Sequence, residues 1–176
     1  MSTLSKLGLG FEKDPRRQQE IRLRPVADRL YRKVFGEGTI ICRFDRDADL
    51  VLDKQFAIDV QIGLPGGMLL LGQEKFLSYK FAKYATVTVE YEQNQHTGER
   101  GDWFRLSSQF YFVGYAANDE RSFDPWILLN WPAVVIATHT GKLLWGTHVN
   151  RDGRALASFK YCRMADIPVN CIIATS

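Results

Sequence analysis

Three side chains have the types and spacing to hold a divalent cation and work beside it: Asp59, Gln73 and Lys75. They fall in Phe56–Leu77, FAIDVQIGLPGGMLLLGQEKFL, which reads as two strands and a tight connection. In the first strand Phe56, Ile58, Val60 and Ile62 share one face by period-2 alternation, and Ala57, Asp59 and Gln61 share the other. Gly63-Leu64-Pro65-Gly66-Gly67 supplies the proline and the glycines that a chain reversal needs. In the return strand Leu69, Leu71, Gln73 and Lys75 alternate with Met68, Leu70, Gly72, Glu74 and Phe76. An acid on one strand therefore meets an amide and an ammonium on its neighbour. Hydrolysis of a phosphodiester needs an activated water and relief of the charge that builds on phosphorus. Mg²⁺ or Mn²⁺ supplies both when hard oxygen ligands hold it and leave positions open. A lysine beside the ion positions the water and offsets developing charge. The competing reading is a turn-side Asp59 paired with Lys75 across the hairpin, a contact worth a few tenths of a kcal/mol when exposed.

The elements that must position these residues follow from local signals. Asp14-Pro15 reads as a helix start, with Asp as N-cap and Pro at the first helical position. Pro25 either kinks that helix or opens a second one, Pro25–Phe35, whose Val26, Ala27, Leu30, Tyr31 and Val34 form an apolar stripe. Thr39–Phe44 reads as a strand, and Asp45–Asp49 as an acidic loop. Ser78–Tyr84 is a short helix or an irregular connection. Ala85–Tyr91 is a strand on its β-branched content. Asp102–Ala116 reads as one long aromatic strand or two. Trp126–Val135 reads as a helix introduced by Asp124-Pro125, Lys142–Val149 as a strand, Ala155–Met164 as strand or helix, and Ile167–Ala174 as a closing strand. Glu90 reads as an exposed strand glutamate, with a further ligand or general base as its other reading. The order implies a single α/β or α+β domain over residues 14–176, with a central mixed sheet flanked by helices, behind a loose leader at 1–13.

The order of helix, strand, Asp-bearing strand, turn and a strand ending in an x-Lys pair resembles the PD-(D/E)XK, restriction-endonuclease-like nuclease superfamily. The resemblance covers roughly residues 14–115. It implies Asp59 as the motif acid, Gln73-Glu74-Lys75 as the second half, and Asp28, or Glu20, as an acid from the first helix. Ile58 stands where the family has proline, and neutral Gln73 stands at the acid position; a bulge at Gly72 would turn Glu74 inward instead. The implied function is DNA cleavage with Mg²⁺ (or Mn²⁺), with Asp59, Gln73 and Asp28 around the metal, Glu74 as the alternative acid and Lys75 on the water. The alternative is a non-catalytic nucleic-acid-binding or assembly module on a similar fold, of a kind found in phage or mobile elements.

Charge placement suits that partner. Residues 1–33 hold nine Lys/Arg and four acids, so the segment is +5 in a chain of net +3. Arg16, Arg17, Arg22 and Arg24 are the residues expected to meet phosphates, the alternative being a solvated helix face. Three cysteines without a CxxC pair and the lack of an apolar leader point to a reducing, cytoplasmic setting with no membrane span, and leave room for a homodimer. No HExxH, GxxxxGK[ST] or GxSxG occurs, which removes zinc-protease, P-loop and nucleophile-elbow readings. His96, His139 and His148 are scattered and form no pair.

Overall fold

The computed structural model describes residues 15–44, 50–150 and 156–176. The leader, Asp14, the Asp45–Asp49 loop, and residues 151–155 lie outside the described residues. The chain forms a long helix α1 (Pro15–Phe35), strand β1 (Ile40–Arg43), a short helix α2 (Leu50–Phe56) and the hairpin β2 (Val60–Gly63) and β3 (Leu69–Leu77). A 3₁₀ helix at Tyr79–Tyr84 leads to β4 (Thr86–Asn94) and β5 (Glu99–Arg100). A 3₁₀ turn at Asp102–Phe104 precedes β6 (Phe110–Ala116), β7 (Phe123–Asn130) and α3 (Trp131–His139). Strands β8 (Gly146–Val149), β9 (Ser158–Arg163) and β10 (Ile172–Thr175) close the chain.

Two sheets result. The larger runs β1-β2-β3-β6-β7-β10, and the smaller runs β5-β4-β9-β8. Among the described residues, neighbouring strands are antiparallel except β3 and β6, which run parallel with Gln73 beside Tyr111 and Lys75 beside Val113. The fold is thus a single-domain α+β structure with a mixed central sheet.

Alternation along the strands builds a core on each face of that sheet. Val60, Ile62, Phe110, Phe112 and Leu128 point to α1 and pack against Leu23, Val26, Ala27 and Tyr31. Tyr31 meets the rings of Phe110 and Phe112 edge-on, each at 5.7 Å between centroids. We call this the outer face. On the inner face Tyr111, Val113, Tyr115, Ile127 and Leu129 pack against Val87 and Val89 of β4, Cys162 of β9, and Val134 of α3. Helices therefore lie on both faces, α1 on the outer and the shorter α3 on the inner, where the smaller sheet supplies much of the remaining cover.

Several local expectations need correction. Pro25 opens no second helix; it sits on the exposed side of one continuous 21-residue helix. The first hairpin strand starts at Val60, because Phe56 ends α2 and Ala57 takes a left-handed φ of 49°. Asp124-Pro125 lies inside β7 and caps no helix. The helix there begins instead at Trp131-Pro132, where the Asn130 side chain accepts from the Ala133 amide and proline fills the first turn.

Candidate active site

The hairpin register delivers Asp59. Val60 pairs with Gly72 and Gly63 with Leu69, so one step back sets Asp59 beside Gln73. The Asp59 amide donates to the Gly72 carbonyl at 2.9 Å, and the Phe44 amide donates to the Asp59 carbonyl at 2.9 Å. The Glu74 amide donates to Asp59 Oδ2 at 3.0 Å, fixing the carboxylate against β3. Val60 belongs to the outer core, so its neighbour Asp59 belongs to the inner face. Gly72 makes the close pairing practicable, because a Cβ there would stand 2.0 Å from the Phe110 ring.

Gln73 and Lys75 share that inner face, as the alternation requires. Gln73 Oε1 is buried and has no hydrogen-bond donor. The Lys75 ammonium is enclosed, donates to the Thr88 carbonyl at 3.1 Å and stands 5.3 Å from the Phe159 ring centroid. Burial lowers its pKa, and the charges of Asp102 and Glu90 oppose that shift. Glu90 is half-buried rather than exposed, and burial, then the charge of Asp102, pushes its carboxyl pKa up. The Tyr111 hydroxyl donates to the same Thr88 carbonyl at 2.8 Å. Burial holds its pKa well up, with Asp102 and Asp59 adding to the effect. Asp102 itself pairs with Arg105 at 2.7 Å. A polar wedge therefore lies between the sheets, made of Asp59, Gln73, Lys75, Glu90, Asp102 and Tyr111.

The part played by Asp102 escapes sequence reasoning, because it comes from a turn far along the chain. The acid of GDWF, just before two aromatic rings, is the only local sign. Among the described residues, no three His, Cys, Asp or Glu side chains gather at metal-ligand spacing. The fit of a cation rests instead on Asp59 and on the unpartnered amide oxygen of Gln73. Such a set suits Mg²⁺, which is commonly held by one or two carboxylates and keeps several waters.

Asp28 and Glu74 are not in this group. Both lie on the outer face, bound to Arg43 of β1. Arg43 donates from Nε to Glu74 Oε2 at 2.8 Å and from its terminal nitrogen to Asp28 Oδ1 at 2.7 Å. Tyr31 completes the set by donating to Glu74 Oε1 at 2.9 Å. Burial by itself would lower the Arg43 pKa; the hydrogen bonds and charge of Glu74, then of Asp28, more than reverse this. No bulge occurs in the β2–β3 register, so Glu74 stays opposite to Lys75.

The four arginines also travel with α1 on the outer side. Arg17 and Arg24 each pair with Glu20 at 2.8 Å, and Arg22 pairs with Glu120 at 2.7 Å. Arg16 is exposed in the first turn of α1. None of them lines the wedge. A cleft of about 250 Å³ lies between α3 and the segment 103–107, with Trp103, Arg105, Trp131 and His139 in its wall. Trp131 meets Tyr111 edge-on at 5.4 Å, so one ring separates this cleft from the wedge.

No helix among the described residues is long and apolar enough to cross a membrane. No family model, curated protein or solved structure gives a significant match to the chain.

Proposed function

We propose that the chain is a Mg²⁺- (or Mn²⁺-) dependent nuclease acting on DNA, with a divergent restriction-endonuclease-like site. One observation carries the reading: Asp59, Gln73 and Lys75 occupy a single sheet face, and the carbonyl oxygen of Gln73 is buried with no donor. The order of elements supports it as well. Helix α1, then β1, then the β2–β3 hairpin with Asp59 just before its first strand and Lys75 in its second, are the parts on which the resemblance rests.

In this reading Asp59 and Gln73 Oε1 hold the cation. When bound, it activates a water and neutralises charge on the scissile phosphate. Lys75, with its pKa lowered by enclosure, orients that water. Glu90, with its carboxyl pKa raised, is a proton acceptor within the same electrostatic environment. Asp28 and Glu74 hold α1 to the sheet and take no ligand role. The test is DNA cleavage with Mg²⁺ by Lys75→Ala. The expected loss is roughly 10²- to 10⁴-fold; an unchanged rate overturns the assignment.

A second reading is favoured by Lys75 itself, whose ammonium already bonds Thr88 and faces the Phe159 ring beneath the smaller sheet. A binding module with the same wedge would use Lys75 only to join the two sheets. Titration with Mn²⁺ separates the readings: the nuclease binds the ion and loses it in Asp59→Asn, whereas the module binds DNA in a salt-sensitive manner without it.

A further inference from the structure

The connection from β3 to β4 carries an exposed feature that the proposed chemistry leaves unused. Tyr79–Tyr84, YKFAKY, is fixed as a 3₁₀ helix between two anchored ends. The Ser78 side chain accepts from the Lys80 amide, and Ala85 takes a left-handed φ of 44° with its amide on Ala82. Beyond it, the Met164 amide donates to the Ala85 carbonyl at 2.8 Å, and the Thr86 amide donates to the Tyr115 hydroxyl at 3.1 Å. Ala82 packs on the inner core. The rings do not follow it inward. Tyr79, Phe81 and Tyr84 are 46%, 53% and 56% exposed.

Three residues per turn eclipse side chains three apart, so Lys80 stands over Lys83 and Phe81 over Tyr84. Lys83 also lies 5.0 Å from the Tyr84 ring centroid. The sequence between Lys75 and Glu90 contains Lys80 and Lys83 and no acid, so the segment itself carries net positive charge. Ser78 is three residues beyond Lys75, about 10 Å along an extended chain.

We propose that this helix is a stacking platform for a single-stranded segment of the nucleic acid, with bases on Phe81 and Tyr84 and phosphates on Lys80 and Lys83. The proposal rests on the nuclease reading for its proximity to Lys75. Flat rings beside cations, with no sequence-reading groups, are the chemistry of single-strand capture. Spacing also selects the single strand. Phe81 and Tyr84 are about 6 Å apart along a 3₁₀ axis, well above the 3.4 Å rise of bases stacked in one strand of a duplex. Each ring therefore takes an unstacked base from an extended strand, which paired DNA cannot offer. An anionic bilayer surface also suits rings beside lysines, and the vesicle arm of the experiment below separates it from the single strand.

Fluorescence anisotropy with labelled oligo(dT) in EDTA tests the platform without cleavage. Blunt duplex and phosphatidylserine vesicles serve as competitors. Wild-type protein should bind oligo(dT) in preference to both. Phe81→Ala and Tyr84→Ala should each weaken binding about fivefold to a hundredfold, and Phe81→Trp should retain it. Lys80→Ala with Lys83→Ala should reduce the salt slope by about 1.4. Equal binding by the ring variants, or preference for duplex or vesicles, overturns the proposal. The two assignments fail separately. Oligo(dT) binding that depends on the rings, in a protein that cleaves nothing, leaves the platform and removes the nuclease. Cleavage that needs Lys75 but ignores the rings does the reverse.

Discussion

Arg43 is the residue whose loss should cost the fold most. Its side chain is 11% exposed and that of its partner Glu74 is 6% exposed, so solvent does little to weaken the pair. Removing one partner of such a pair strands the other charge. Arg43→Met should lower the free energy of unfolding by about 3–5 kcal/mol in urea titrations, and adding Glu74→Leu should recover much of that. Lys75 presents the opposite case. Its folded pKa is depressed mainly by burial, so the unfolded chain binds more protons between that depressed value and about 10.4. Wild-type stability therefore gains from Lys75 as pH rises through that window. Lys75→Met, with Thr88 still bonded by Tyr111, should be about 1 kcal/mol more stable at pH 7. The advantage should shrink toward pH 10 when melting curves are recorded across the range. At this scale the sequence was a partial guide. Period-2 alternation sets Gln73 and Lys75 on one face and Glu74 on the other, while the hairpin register decides that Asp59 joins them. It says nothing of Arg43, which reaches Asp28 and Glu74 from other elements, so an acid on an amphipathic helix looked available when it was already paired.

Elements were legible where turn chemistry is strong. The Gly63–Gly67 reversal is closed by the Leu64 amide on the Met68 carbonyl at 2.8 Å, with Gly67 at a φ of 84°. Pro132 misleads when it is read as an interruption, since proline in the first helical turn is a start signal. Asp102–Ala116 divides because Asp102, Trp103 and Phe104 form a 3₁₀ turn that lies along β4, and apolar content alone does not distinguish that from a strand. The crossing of β3 over Phe110 depends on a missing side chain. Gly72→Ala would press a methyl into a fully buried ring, and should destabilise the protein by at least about 2–3 kcal/mol in urea unfolding. Ala at exposed Gly66, where a Cβ meets nothing within 4 Å, should change little in the same assay.

On the scale of the whole molecule, the mixed central sheet could be anticipated from the order of elements, whereas the second sheet could not. Its strands β4, β8 and β9 are dispersed over residues 86–163, and pairing between distant segments leaves no periodic trace in any of them. Nor does the sequence announce how the two layers meet. Tyr111, Tyr115 and Lys75 reach across to the backbone of Thr86 and Thr88, in place of a purely apolar seam.

The parallel pairing of β3 with β6 has a temporal consequence. The β2–β3 hairpin is local in sequence and brings Asp59 beside Gln73 with little loop-closure entropy. Strand β6 can slot against β3 only after the whole of 78–109 has been accommodated, a non-local closure of the kind that slows folding. The two oxygen donors thus meet early, while the ammonium of Lys75 is enclosed late, when the last layer settles. A nascent chain halted near residue 100 would carry the former without the latter.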